Sequence, residues 1–296
     1  MDPLLIDKVP NLREPVFILA FAGWNDAGES ATSAAQYLCS RPDAEKFASL
    51  ECEEFYNFGE LRPRVRLTKS SQREIIWPAN EFFYTQHPAL VHDLIIGVGI
   101  EPHLQWKTYI RTLLDLAHQC QVRMIMTLGA LLADVVYSRP VRISGSATDP
   151  DLRARFHLSS SSRYEGPTGI VGVLNDACRR EGLPAMSLWA NIPHYLSNTP
   201  NPKGMHALVR RVLSILDCSL DLREVETAVR DFEAKVAEVI ANNPSVAAYV
   251  RQLEEREPEE REEDAPRREP ELPSGEQLVQ ELEQFLRRQR RDKPSE

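Results

Sequence analysis

Short apolar runs and longer helical stretches take turns along the first two-thirds of this chain, and that alternation restricts the fold more than any other feature. Residues 16–22 (VFILAFA) read as a buried strand, followed by a small-residue helix over 26–39. A second strand, 93–98 (DLIIGV), leads into a helix over about 103–120. A third run lies at 122–128 (VRMIMTL) and a fourth at 185–190 (AMSLWA). The helix before the fourth spans 169–181 and stops at Gly182-Leu183-Pro184. None of these runs alternates strictly between apolar and polar residues, as expected of strands buried on both faces. Repeated strand–helix–strand order predicts an α/β fold, a mostly parallel sheet with helices on both faces.

Elsewhere the pattern changes. Residues 64–67 and 73–77 flank a polar stretch at 68–72 and predict a hairpin, with an antiparallel sheet edge as its candidate place. Residues 139–144 (RPVRIS) are a candidate edge strand. After Cys218 the chain turns helical. Leu222, Val225, Val229, Phe232, Val236 and Val239 fall three and four apart and form one narrow apolar seam. That seam packs either on the chain's own body or on another subunit. The resulting division is an α/β core over 1–218, a helical extension over 219–254, a charged linker over 255–273 and an amphipathic helix over 274–291. In the last helix Leu278, Leu282, Phe285 and Leu286 share a face. A short amphipathic helix after a linker is a docking element, for its own body, a sister subunit or a partner. Its basic end, 287–291, suits the negative end of a helix dipole.

The net charge of -9 argues against nucleic acid as a partner, because phosphate binding needs a basic face. Five cysteines are scattered, odd in number and never in a Cys-x-x-Cys pair. That fits a reducing compartment and neither a disulfide framework nor a zinc site. The first residues lack a basic n-region, and no apolar stretch is long enough to span a bilayer. The expected location is cytoplasmic, with no membrane partner.

The loop Gly23-Trp24-Asn25-Asp26-Ala27-Gly28 follows the first strand. Asn25 or Asp26 can cap the next helix, and Glu29 completes a capping-box pattern with Asp26. The Gly23 to Gly28 spacing matches a P-loop frame, but Glu29 stands where a lysine must neutralise phosphate, so a nucleotide triphosphate site is rejected. A second loop, Tyr164-Glu165-Gly166-Pro167-Thr168-Gly169, opens a helix, with Thr168 as its candidate cap. In open parallel sheets ligands bind beyond the carboxyl ends of the strands. Trp24, Asn25, Asp26, Glu101, His103, Gly129, Asp134, Asn191, His194 and Tyr195 all follow strands, and with Tyr164, Glu165 and Thr168 supply the lining of a candidate cleft. Asp26, Glu101 and His194 are its acid–base candidates. Caps and loop polars gather at that edge in every such fold, however. The chain has no His-Glu-x-x-His, no Gly-x-Ser-x-Gly and no metal-ligand spacing among its histidines, so no catalytic residue, metal or cofactor is assigned.

The Gly-Trp-Asn-Asp-Ala-Gly turn after an apolar first strand resembles the opening of the proteasome assembly chaperone 2 family, in its actinobacterial-type branch. So do residues 62–65 (RPRV), 76–82 (IWPANEF), 99–102 (GIEP), 127–134 (TLGALLAD), 163–169 (RYEGPTG) and 193–195 (PHY). The resemblance covers about residues 15–255. It implies a fold of the phosphorylase/hydrolase-like type, self-association as a homotrimer, and, from archaeal and eukaryotic relatives, help in assembling proteasome subunits. Archaeal relatives engage the proteasome through a C-terminus ending hydrophobic-Tyr-any residue. This sequence ends Lys293-Pro294-Ser295-Glu296, so docking by that route is not expected. The family carries no established catalytic residues. The expected function is thus a non-enzymatic oligomeric binding protein, chaperone-like for the proteasome or another complex. The alternative is a small-molecule-binding enzyme or sensor using the strand-end cleft.

Overall fold

A computed structural model of the chain describes residues 3–256 apart from 69, 70, 89, 159–164 and 198. In chain order the elements are β1 (Leu4–Ile6), β2 (Val16–Ala22), α1 (Ser30–Cys39), β3 (Ala44–Leu50), β4 (Arg64–Leu67), β5 (Arg73–Ile76), β6 (Asn80–Thr85), β7 (Leu94–Ile100), α2 (Trp106–Gln119), β8 (Met124–Ala133), β9 (Ile143–Ala147), α3 (Pro150–Phe156), α4 (Ile170–Glu181), β10 (Ala185–Pro193), α5 (Pro202–Ile215), α6 (Arg223–Ala241) and α7 (Pro244–Arg256). The four apolar runs of the sequence are β2, β7, β8 and β10, and they lie side by side and parallel in the order β7-β2-β8-β10.

The α/β fold is as predicted, but the sheet is mixed rather than mostly parallel. Its eight strands run β1-β3-β6-β7-β2-β8-β10-β9, and every strand outside the central four pairs antiparallel. The sequence hid β3 and β6 because they are half solvated and interrupted by Glu45, Lys46 and Glu81. The expected edge strand at 139–144 sits slightly later, as β9, on the outer side of β10. The hairpin β4–β5 forms where expected, with β5 ending at Ile76 instead of residue 77, yet it is a separate two-stranded sheet.

Period-two alternation in β2 divides the core. Phe17, Leu19 and Phe21 meet Tyr109 and Leu113 of α2 and Ile170 and Leu174 of α4. Val16, Ile18 and Ala20 meet Ala31, Ala34 and Ala35 of α1 and Val209 and Val212 of α5. Small side chains let α1 lie close to the sheet. A third cluster lies beyond the core: Val236 and Val239 of α6 and Val246, Val250 and Leu253 of α7 cover Val136, Tyr195 and Leu196. The predicted apolar seam therefore faces the chain's own α5 and α7, and the Lys203–Glu233 ion pair at 2.5 Å joins α5 to α6. The seam lies on one long helix, α6, and the extension continues as α7 after a break at Asn242 before Pro244. The last helix carries to Arg256, past the expected start of the linker. The rest of the linker and the face of Leu278, Leu282, Phe285 and Leu286 lie outside the described residues. Among the described residues no helix is long and apolar enough to cross a membrane, and all five cysteines are free.

Candidate functional site

The loop after β2 is pinned to the neighbouring strand. Ala130 N donates to Asn25 O at 2.9 Å, and Asp26 bridges Ala130. Gly23 supplies the turn with φ +122°, which an L side chain rarely adopts. Asp26 is buried, and its carboxylate accepts from the Ala31 amide at 2.6 Å, the Thr32 amide at 3.2 Å and the Thr32 hydroxyl. It is thus the cap of α1, reaching over a short 3-10 turn at Ala27–Glu29. The expected capping box does not form: Glu29 is exposed, in left-handed backbone, and makes no capping bond. Burial pushes the Asp26 carboxyl up from its ordinary value, and the hydrogen bonds to Thr32 and Ala31 oppose that rise.

The cap of α4, by contrast, is a long-range one. Glu101, just after β7, accepts from the Ile170 amide at 2.7 Å, 69 residues away in sequence. The same oxygen accepts from Asn25 Nδ2 at 2.8 Å, and Asn25 is buried. Thr168, expected to cap α4, instead stands exposed beside it, and Gly169 takes the N-cap position without a side-chain bond. Gly169 has no alternative there: a Cβ would lie 2.4 Å from Asn25 Oδ1 and 2.8 Å from Glu101 Oε1.

Trp24, Asn25, Asp26 and Thr168 line a cleft of about 910 Å3 at the carboxyl ends of the strands. Trp24, at 66 % exposure, forms its rim with Leu131 and Leu132. Gly129 is buried under the floor. A Cβ on it would meet the Trp189 ring at 2.5 Å, so the glycine lets that indole lie flat over β8. Glu101 is engaged behind the loop, Glu165 is exposed away from the lining, and Tyr164 lies outside the described residues.

His194 and Tyr195 do not join the cleft. They sit under α7, where the rings of His194, Tyr195 and Tyr249 meet edge to face. His194 Nε2 is 3.0 Å from Tyr249 Oη. Its Nδ1 is 3.2 Å from Asp134 Oδ1, near enough for charge attraction but not aligned as a hydrogen bond. Tyr195 Oη accepts from the Tyr137 amide at 2.9 Å. Their shared role is to anchor α7. β8 and β10 stay paired to their last residues, Ala133 and Pro193, beyond the cleft lining at Ala130 and Trp189, so the residues that follow β10 leave the sheet against α7 instead of the cleft.

The sequence reading missed Thr127, Ser187 and Asn175. Thr127 and Ser187 face each other in register and lie 2.7 Å apart, and Asn175 Nδ2 donates to Ser187 Oγ at 2.6 Å. Asn175 Oδ1 is buried without a partner. A signal existed: one hydroxyl interrupts each of two otherwise apolar strands.

A model of the PAC2 family matches residues 20–240. This chain belongs to the PAC2 family. A PAC2 family protein from Streptomyces avermitilis is 40 % identical, with a TM-score of 0.73 over 80 % of this chain and 99 % of that one. The Mycobacterium tuberculosis proteasome-assembly chaperone homologue Rv2125 is 37 % identical, with a TM-score of 0.72 over 79 % of this chain and 99 % of that one. Pyrococcus furiosus PbaB, an archaeal proteasome activator, shares the fold at 21 % identity and a TM-score of 0.66, over 80 % and 97 % of the two chains. No curated protein matches the chain. The motifs of this chain thus coincide with two helix caps, a local one at Asp26 and a long-range one at Glu101, and with the turn between them.

Proposed function

We propose that this PAC2 chain is a non-enzymatic, self-associating binding protein that assists the assembly of the proteasome or another multi-subunit complex. The observation that carries the reading is the 37 % identical relative described as a proteasome-assembly chaperone homologue, aligned over 99 % of its length. The acid–base candidates support it from the other side. Asp26 spends its carboxylate on α1, Glu101 spends its own on α4, and His194 is held under α7. Two carboxylates spent on helix caps, with the imidazole held apart from them under α7, do not make a catalytic constellation. Affinity capture from native cytosol at low salt tests the reading. Enrichment of proteasome subunits or their precursors is the expected result, and their absence beside a control bait refutes it.

The cleft favours a second reading, a binding site for an uncharged small molecule. Its supporting observation is the unpartnered Asn175 Oδ1 beside the Trp189 ring. Asp26, already saturated, is the lining's charged side chain, so an ion finds no counter-charge there. Thermal-shift measurements with nucleosides and neutral sugars test it, since a ligand of the native state raises its stability. A shift in the parent that vanishes in Trp189→Ala supports the site; no shift with any compound refutes it.

A further inference from the structure

An isolated two-stranded ribbon is marginally stable in water, yet β4–β5 is one. All eight of its residues are exposed. Val65 stands opposite Ile75 and Leu67 opposite Arg73, so Val65, Leu67 and Ile75 share a face. Their exposures are 57, 67 and 50 %. Arg64 and Ile76, on the other face, line a cavity with Ala22, Thr32 and Val98 of the body, so Val65, Leu67 and Ile75 lie on the opposite face, and large apolar side chains left together in solvent make a contact surface.

Charge says what kind. Residues 62–76 hold five basic side chains and one acidic one, in a chain of net charge -9. Arg66 is paired with Glu74 at 2.8 Å. Among the described residues Arg62, Arg64 and Arg73 make no ion pair, and neither do the exposed Glu51, Glu53 and Glu54 just before the ribbon. One protomer therefore carries a basic patch and an acidic patch that it does not join to each other.

We propose that the β4–β5 ribbon is the surface on which a second copy of this chain docks. Its Val65, Leu67 and Ile75 face is buried in the contact, and Arg73 on that face, with Arg62 just before the ribbon, meets Glu51, Glu53 and Glu54 of the second copy. A contact between two different patches is head-to-tail, the kind that closes rings. This inference rests on the self-association part of the proposed function and is independent of the proteasome part.

Sedimentation of the full chain across concentration and salt provides the test. The parent is expected to self-associate and to loosen as salt rises, because exposed charges are screened. Leu67→Glu with Ile75→Glu weakens self-association at least about thirtyfold, the scale of a lost central contact. Circular dichroism melting shows whether the variant is folded. Arg62→Glu with Arg73→Glu is the second variant. It fails to associate alone but joins Glu53→Arg, Glu54→Arg in mixed assemblies with equal numbers of the two variants, because only alternating copies restore the charge match. Oligomers that persist in both ribbon variants overturn the ribbon as interface while leaving self-association standing. A parent that is monomeric at every concentration overturns both. Unchanged oligomers with lost proteasome capture assign the ribbon to that partner and overturn docking by a second copy.

Discussion

Replacing Glu101 with alanine removes one acceptor that serves two distant donors. The Ile170 amide, at 2.7 Å, loses its side-chain cap, and Asn25 Nδ2, at 2.8 Å, loses its carboxylate. A hydrogen bond to a charged group contributes about 1.5–3 kcal/mol, and orphaning a buried donor costs on the same scale. The charge also faces the positive end of the α4 dipole, for about another 0.3–1 kcal/mol. Both donors share one oxygen, so these contributions do not add fully. About 3 kcal/mol is the expected loss, and with roughly 2–4 °C per kcal/mol for a body of this size the melting temperature falls by about 6–12 °C. Glu101→Gln keeps an acceptor without the charge and should lose about half as much. Thermal and urea unfolding measure both. An alanine variant within about 0.5 kcal/mol of the parent, the range of ordinary surface changes, refutes the capping role. A glutamine variant no better than alanine refutes the acceptor argument.

Gly169→Ala drives a Cβ onto Asn25 and Glu101 and should cost about 1–3 kcal/mol in the same assays. Asp93 gives a pH dependence. Burial opposes its charge, but hydrogen bonds from the Arg13 side chain and amide and from Gln86 outweigh this and hold its pKa below the ordinary value. Its stabilising effect is therefore full above about pH 4, the unfolded value, and is lost as pH falls through the folded one. Urea midpoints of the parent minus Asp93→Asn should shrink over that acid window and stay constant above it. Burial also raises all five thiols, Cys120 to about 11 and Cys39 and Cys178 to about 12. Thiol reagents at pH 8 should label the native chain slowly and the denatured chain completely.

The centre of the fold was legible because four continuous apolar runs, each buried on both faces, leave an unmistakable trace. The outer strands were not, since β3 and β6 show one face to water and carry Lys46 and Glu81, themselves paired at 2.5 Å. The strand-end position of the cleft followed from topology, and Trp24, Asn25, Asp26 and Thr168 line it. The roles of Glu101 and Thr168 did not follow. A cap is inferred locally from sequence, whereas α4 takes its acceptor from across the sheet. His194 and Tyr195 were misplaced because sequence orders residues after a strand but does not say toward which side the chain leaves. Thr127 and Ser187 were visible as lone hydroxyls in apolar strands, and only pairing register shows that they meet.

Quantitative capture of proteasome subunits on the immobilised full chain, at low salt and against an unrelated acidic α/β protein, tests the central claim most directly. The account predicts enrichment of proteasome subunits or assembly precursors that falls as salt rises. Equal recovery on both baits, with the chain folded and oligomeric, contradicts it.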